Sequence, residues 1–177
     1  RDTIQIATLP GAQASFSSSE PSCAPMEAIF TNNSSSAISY FWDFTDGVTS
    51  IEDNPIHTFE NTTGFLETFP VRLVAIAENG CNDTTIVNVT VYPEMVAQFN
   101  SPQASCTPFE VEFTNESSEN ASFEWTFGDG DMSTELNPIH IFSNENTGDD
   151  ETFIVELTVT SEYGCNNTAT SEIAVFA

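Results

Sequence analysis

The chain has 177 residues, of which 27 are Asp or Glu and only two are Arg or Lys, so its net charge is −25 at neutral pH. A surface this acidic repels nucleic acid and anionic membranes, which excludes both as partners. Apolar residues make up 39% of the chain, enough for a folded core. No apolar run reaches the length of a membrane-spanning helix, so we expect no direct membrane insertion.

The chain contains two copies of one module, and such arrays usually span, display or adhere. The second cysteine of the module, Cys81, recurs 84 residues later as Cys165. Five further residues recur after 83 positions: Cys23, Pro25, Trp42, Pro55 and His57 reappear as Cys106, Pro108, Trp125, Pro138 and His140. We therefore predict one domain over residues 11–93 and a second over 94–177.

The N-terminal residues resemble the end of a repeat. Pro10 lies 83 residues before Pro93, and residues 3–8 align with residues 86–91. Residues 1–10 are therefore either the last strand of a preceding repeat in a longer array, or a spare strand. A spare strand could complete the sheet of a neighbouring chain by strand addition, and the alternative is that it only caps the first module or frays.

Period-two apolar patterns run through both modules, and helix signals are nearly absent. Gly, Pro, Asn and Asp separate the patterns, which is typical of a β-sandwich. Phe69, Val71, Leu73 and Ala75 share one face of a predicted strand. The predicted strands cover residues 12–18, 26–31, 37–44, 48–51, 56–60, 66–77 and 83–92, then 95–101, 109–114, 120–127, 131–134, 139–143, 151–161 and 167–176.

Each module has two cysteines and no Cys-x-x-Cys motif, which argues against a zinc site. We predict one disulfide within each module, Cys23–Cys81 and Cys106–Cys165, and hence an oxidising, extracellular compartment. Free buried thiols are the alternative.

Around the two tryptophans the chain resembles a known family. Residues 42–47, Trp-Asp-Phe-Thr-Asp-Gly, and residues 125–130, Trp-Thr-Phe-Gly-Asp-Gly, are similar to the Trp-Asp-Phe-Gly-Asp-Gly motif of PKD (polycystic kidney disease) domains. The Asn-Pro-Ile-His segments that follow agree with this. The resemblance implies an all-β fold, two tandem Ig-like (PKD-type) β-sandwich domains. The cysteine pattern resembles PKD repeats of Bacteroidota surface and adhesin proteins.

The motif residues have a structural interpretation. Trp42 and Trp125 lie among Phe residues, so we expect each to fill a core between two sheets. An exposed, sugar-stacking role is the alternative. We expect His57 and His140 to be satisfied structural residues rather than ligands or bases. No catalytic Ser, His and Asp arrangement can be singled out, so the sequence predicts no enzyme activity and no catalytic residue.

Acidic turns provide the candidates for a cation. Asp43 and Asp46 in the first module, and Asp129 and Asp131 in the second, could contribute oxygens to calcium. Solvated turn carboxylates without an ion are the alternative. We otherwise expect no cofactor.

Glycan acceptors are a further set of candidates. The chain carries Asn-x-Ser/Thr at several positions, which a eukaryotic secretory pathway would modify. Thr3 and Thr84 instead lie in segments that resemble the Bacteroidota O-glycosylation pattern. The candidate Asn acceptors are Asn32, Asn61, Asn82, Asn88, Asn115, Asn120 and Asn166.

The sequence is consistent with two functions. The first is an extracellular structural or interaction segment of a stalk, adhesin or filament, with neighbouring repeats, identical chains, surface glycans or proteins as partners. The second is an accessory module that holds a secreted hydrolase on polysaccharide or another insoluble substrate. The second predicts a row of exposed aromatic residues, with Tyr40, Phe65, Tyr92 and Tyr163 as candidates.

Overall fold

A computed structural model describes residues 10–145 and 148–177, and every regular element in these ranges is a β-strand. The chain divides into two compact units between Pro93 and Glu94. The predicted all-β class is confirmed. The expectation of a spare N-terminal strand stays a prediction, because residues 1–9 lie outside the described part of the chain. Within the described ranges no helix could cross a bilayer.

The first unit is built from two packed sheets. A five-stranded sheet has the order β2-β8-β7-β4-β5, and a three-stranded sheet has the order β1-β3-β6. The strands are β1 (Phe16–Ser18), β2 (Ser22–Cys23), β3 (Met26–Asn32), β4 (Ser39–Asp43), β5 (Thr49–Ser50), β6 (Ile56–Phe59), β7 (Glu67–Ile76) and β8 (Asn82–Tyr92).

The second unit repeats this plan. Its five-stranded sheet has the order β10-β17-β16-β13-β14, and the pairs β11-β15 and β12-β9 take the place of the three-stranded sheet. The strands are β9 (Phe99–Asn100), β10 (Ala104–Cys106), β11 (Phe109–Glu112), β12 (Thr114–Asn115), β13 (Ala121–Thr126), β14 (Met132–Ser133), β15 (Ile139–Phe142), β16 (Glu151–Ser161) and β17 (Asn166–Phe176).

Aromatic rings fill the space between the sheets of each unit. Trp42 is fully buried, its ring lies 4.9 Å from Phe16 and 5.5 Å from Phe30, and its indole N–H donates to the Glu52 carbonyl at 2.8 Å. Trp125 is equally buried and donates to the Glu135 carbonyl at 3.0 Å. The core role predicted for both tryptophans is therefore correct. Their one polar atom is satisfied, as a buried donor requires.

Two strands were not predicted from the sequence. β2 and β10 are short, and each pairs in parallel with the last strand of its unit, Cys23 opposite Tyr92 and Cys106 opposite Phe176. Two or three residues are too few for a period-two pattern to be recognised. These strands decide where the first cysteine of each unit lies.

The segment around Ala14 and the C-terminal end of the first unit lie at opposite ends of its last strand. The backbone N–H of Ala14 donates to the Asp83 carboxylate at 2.8 Å, beside the start of β8, whereas Tyr92 ends that strand. We name these ends the amino pole and the carboxyl pole. A strand of this length separates them by about 33 Å.

The second unit has the same two poles. Val96 and Ser118 are joined by two hydrogen bonds of 2.9 Å. Ser118 lies just before β13, whose first residue, Ala121, pairs with Ser161 next to the start of β17. The segment that follows Pro93 thus enters this unit at its amino pole, and β17 ends at Phe176 at its carboxyl pole.

Candidate functional site

In the first unit the Asp-Gly turn of the motif is joined to a partly buried histidine. His57 lies on β6, and its ring stacks on Phe44 at 4.2 Å with an interplanar angle of 5°. Its Nε2 lies 2.6 Å from the Asp46 carboxylate, whose other oxygen accepts from the backbone N–H of Val48 at 3.0 Å. The histidine therefore ties β6 to the turn between β4 and β5, across the two sheets.

The second unit reproduces this arrangement almost atom for atom. His140 stacks on Phe127 at 4.1 Å and 3°, and its Nε2 lies 2.6 Å from the Asp129 carboxylate. The backbone N–H of Asp131 donates to the other Asp129 oxygen at 3.0 Å. We call each of these pairs, Asp46 with His57 and Asp129 with His140, an Asp–His clasp.

The clasp of the second unit shifts the titration of its carboxylate. Partial burial raises the pKa of Asp129, but the hydrogen bond with His140 and the backbone N–H of Asp131 outweigh it, so the pKa lies below its ordinary value. Both partners stabilise the charged carboxylate. At neutral pH Asp129 is therefore an anion held in place by two partners.

The chemistry open to a clasp is limited by its surroundings. An Asp–His pair that activates a protein nucleophile needs that nucleophile within hydrogen-bonding reach. Among the described residues no hydroxyl or thiol is hydrogen-bonded to either His57 or His140. Their side chains are 10% and 11% exposed. The geometry suits a structural connection, which agrees with the interpretation of both histidines from the sequence.

The two acidic candidates of the first unit bind protein groups. Asp43 forms an ion pair with Arg72 at 2.9 Å, and its other oxygen accepts from the backbone N–H of Thr45. Asp46 belongs to the clasp. In the described ranges neither aspartate belongs to a group of three metal-ligating side chains within bonding reach of one ion.

In the second unit Asp129 and Asp131 do come together, and His140 joins them. One ligand atom from each of the three lies within 4.8 Å of the others. Calcium prefers six to eight oxygens, whereas this set has two carboxylates and a nitrogen that is engaged with Asp129. The residues present do not fit a calcium site by themselves.

Both predicted cysteine pairs are wrong. Cys81 and Cys106 are free and exposed, whereas Cys23 and Cys165 are disulfide-bonded. The reason is the position of the two cysteines in each unit. Cys23 lies at the carboxyl pole beside Tyr92, and Cys81 directly precedes β8 at the amino pole, about 33 Å away. A disulfide requires Cα atoms within about 7 Å.

The candidate glycan acceptors differ in accessibility. Asn61 is 1% exposed, and its side-chain amide donates to the carbonyls of Phe65 and Val91. It cannot carry a glycan in the folded unit, so that prediction is wrong. The side-chain nitrogen of Asn115 is buried as well, and Thr3 lies outside the described residues. Asn32 is half-buried, and the remaining candidates are exposed: Asn82, Asn88, Asn120, Asn166 and Thr84.

Asn144 in the second unit is the structural equivalent of Asn61, and sequence reasoning missed both. The Asn144 amide donates to the carbonyls of Asp149 and Val175 at 2.8 and 2.9 Å. Each amide thus joins the loop before a long strand to the end of the last strand. Asn61 and Asn144 lie 83 positions apart, four residues after the clasp histidine in both modules, and that spacing is the signal that could have identified them.

Comparison with known proteins agrees with this architecture. The family model described as the PKD domain matches residues 8–91 and again residues 90–175. Collagenase ColA of Bacillus cereus is 34% identical over 97 residues, which are 52% of this chain but only 8% of the collagenase. The chain therefore spans less than a tenth of that relative.

Two solved structures are similar to parts of the chain. The PKD1 domain of the Vibrio cholerae metalloprotease PrtV is 30% identical, covers 48% of this chain and 99% of its own, and has a TM-score of 0.40. The PKD1 domain of Vibrio anguillarum Epp is 31% identical, with coverages of 46% and 93% and a TM-score of 0.36. Since the family model matches two consecutive segments that together span nearly the whole sequence, the chain belongs to the PKD domain family and consists of two tandem members.

Proposed function

We propose that the two units are non-catalytic extracellular modules that extend and stiffen a larger assembly, as the repeats of a stalk, adhesin or filament. The observation that carries the proposal is the position of the two poles in each unit. The polypeptide enters a unit at one end of its last strand and leaves at the other. Each added unit can therefore contribute about 33 Å of length.

The interior of the units supports a mechanical role. Trp42, Phe30, Phe44 and Phe59 pack within one cluster of ring contacts of 5.4 to 6.4 Å. In addition, the hydrogen bond of the Asp–His clasp joins the motif turn to β6. Close-packed interiors have low compressibility and transmit strain. A module of this kind transmits force well.

The disulfide supports an extracellular location, and the net charge supports a long array. Cys23 and Cys165 are disulfide-bonded, and disulfides persist in oxidising compartments outside the cytosol. The net charge of −25 would also keep a long array soluble. The proposal also includes that the chain is part of a surface protein, as its cysteine pattern implies, and that its exposed acceptor residues carry glycans.

The test compares the whole chain with head-to-tail fusions of two and three copies by small-angle X-ray scattering and electron microscopy. The proposal predicts a maximum dimension that rises in proportion to the number of units. A compact particle would instead grow as about the 0.38 power of chain length, and that result would contradict the proposal. Repeating the measurement in calcium and in chelator shows whether an ion stiffens the array.

The second candidate function is an accessory module that holds a hydrolase on an insoluble substrate. The 34% identity to part of a collagenase favours it. Among the aromatic candidates, Phe65 is 66% exposed and Tyr163 is 37% exposed, whereas Tyr40 packs against the core cluster. Two exposed rings are therefore better candidates for contact with a substrate than Tyr40.

This candidate is tested by co-sedimentation with collagen, chitin and cellulose. Phe65→Ala and Tyr163→Ala should each weaken binding, whereas Ile51→Ala, which removes an aliphatic side chain that is 78% exposed, should not. Equal binding by all three variants and the unchanged chain would remove the support for an aromatic contact surface.

A further inference from the structure

The two units use opposite cysteines for disulfide bonding. Each unit has a first position at its carboxyl pole, Cys23 or Cys106, and a second position at its amino pole, Cys81 or Cys165. Cys23 and Cys165 are disulfide-bonded, whereas Cys106, equivalent to Cys23, and Cys81, equivalent to Cys165, are free. Both positions are thus able to form disulfides, since each is bonded in one of the two units.

Neither free thiol can form a disulfide with the other cysteine of its own unit. The two positions of one unit are about 33 Å apart along its last strand, several times the distance that a disulfide allows. Both free residues are exposed. A disulfide partner for either free thiol therefore has to come from outside its own unit.

The backbone at both free positions is well fixed. The N–H of Cys81 donates to the Asn79 side chain at 3.0 Å, and its carbonyl accepts from the N–H of Ala77 at 2.8 Å. Cys106 pairs with Phe176 in the sheet, and the next N–H, that of Thr107, donates to the Phe176 carbonyl at 3.0 Å. Each thiol is presented from a defined turn or strand at the end of its unit.

We propose that Cys106 of one copy of this chain forms a disulfide with Cys81 of a second copy, carboxyl pole to amino pole. Because the two ends of this contact differ, it is head-to-tail and can continue from copy to copy. The proposal rests on the function proposed above, because a covalent joint between poles serves an array that bears load.

The chemistry requires an oxidant, for which a small-molecule disulfide such as oxidised glutathione is sufficient. The Cys106 thiolate attacks oxidised glutathione, forms a mixed disulfide and releases one glutathione thiolate. The Cys81 thiolate of the second copy then attacks the Cys106 sulfur and releases the other glutathione thiolate. In total two protein thiols are oxidised, one glutathione disulfide is reduced to two thiols, and the two protons pass to the glutathione thiolates.

The experiment uses two whole-chain variants with one free thiol each. Cys81→Ser retains Cys106, and Cys106→Ser retains Cys81. Both retain Cys23 and Cys165, and both substitutions are at exposed positions. The variants are incubated with oxidised glutathione separately and as an equimolar mixture. Because two copies with a charge of −25 repel each other, the buffer contains about 1 M NaCl, where the screening length is about 3 Å.

The proposal predicts covalent dimers in the mixture, seen by non-reducing electrophoresis, with Cys81–Cys106 as the linked peptides in mass spectrometry. Their yield should exceed that of either variant alone by at least about tenfold, because only the mixture offers complementary poles. A smaller excess, equal dimers from one variant alone, or no dimer in the mixture would each overturn it. The Cys81→Ser/Cys106→Ser double variant is the control and should stay monomeric throughout.

Failure of this proposal is separable from failure of the proposed function. The scattering series on fused chains is run on the double variant, which has no free thiol. If length grows in proportion to unit number but no Cys81–Cys106 link forms, only the disulfide proposal is wrong. If the fused chains are compact, the spacer function is wrong whatever the thiols do.

Discussion

The motif turn of the first unit and that of the second reach one backbone shape with different residues. Thr45 has φ +66° and the equivalent Gly128 has φ +84°, so both lie in the left-handed region. A Cβ at Gly128 would lie 2.7 Å from the Ile154 carbonyl oxygen. In the first unit Pro70 occupies the position of Ile154, and the Cβ of Thr45 is accommodated. We therefore expect the strand next to each turn to decide whether a Cβ is tolerated there.

The surface beside the turn differs in the same coordinated way. The ion pair of Asp43 with Arg72 in the first unit corresponds to Thr126 opposite Glu156 in the second. Loss of the cation is accompanied by loss of the aspartate, which avoids two facing carboxylates. The clasp and the aromatic core are the same in both units, whereas exposed partners change in pairs.

The largest expected effect tests the shared core. Trp42→Ala and Trp125→Ala should each destabilise their own unit by about 3–5 kcal/mol, from lost burial and the cavity left behind. Each variant retains one tryptophan, which lies in the other unit. Denaturant titrations should therefore show an early transition by circular dichroism and a late one by tryptophan fluorescence.

That pair of variants also tests whether the units fold independently. If the remaining tryptophan reported an early transition too, the two units would be energetically coupled. Trp42→Phe serves as the milder control, because it keeps a ring in the core while losing the hydrogen bond to Glu52.

The next effect tests the difference between the turns. Gly128→Ala should destabilise the second unit by about 2–3 kcal/mol, because the new Cβ meets the backbone of Ile154 and a left-handed alanine costs about 1 kcal/mol or more. Thr45→Ala is the matched control in the first unit and should cost less than about 1 kcal/mol. Equal losses in thermal or denaturant unfolding would show that the strand beneath the turn does not matter.

A smaller effect concerns the clasp and depends on pH. Asp129→Asn should lower the free energy of unfolding of the second unit by about 1 kcal/mol at neutral pH. The pKa of Asp129 is lower in the folded than in the unfolded chain. Its contribution is therefore fully present above the unfolded value, about 3.9, and is lost as pH falls through the folded value.

The measurement is the difference in unfolding free energy between the unchanged chain and Asp129→Asn from neutral pH to about pH 2. The difference should shrink below about pH 4. Asp131→Asn is the control, because only the backbone N–H of Asp131 contributes to the clasp. A difference that stays constant across this range would mean that Asp129 titrates normally.

The smallest effect concerns the surface ion pair. Arg72→Gln should cost at most about 1 kcal/mol, since the arginine side chain is 44% exposed and exposed pairs contribute little. Glu156→Gln, at the equivalent place in the second unit, should not reduce stability. The loss at Arg72 should disappear in about 1 M NaCl, and a loss that persists would point to packing of the arginine side chain instead.

The cysteines show where prediction from this sequence ends. The spacing of Cys23 and Cys81 shows that they are equivalent to Cys106 and Cys165, but a spacing along the chain carries no information on which end of a sheet a residue occupies. The short parallel strands β2 and β10 place the first cysteine of each unit at the carboxyl pole. A segment of two or three residues is too short to show the period-two pattern that would predict such a pairing.

The sequence by itself determined the repeat, from residues that recur after 83 positions, and also the all-β class and the burial of Trp42 and Trp125. The class and the burial follow from residue identity and period-two patterns, which act over a few neighbouring residues. Only the tertiary structure decided that Asp129 meets His140, that Asn61 is buried, and that the cysteines of one unit cannot bond to each other. Each of these depends on contacts between distant segments, and the sheet order and register that create such contacts come from packing of the whole unit.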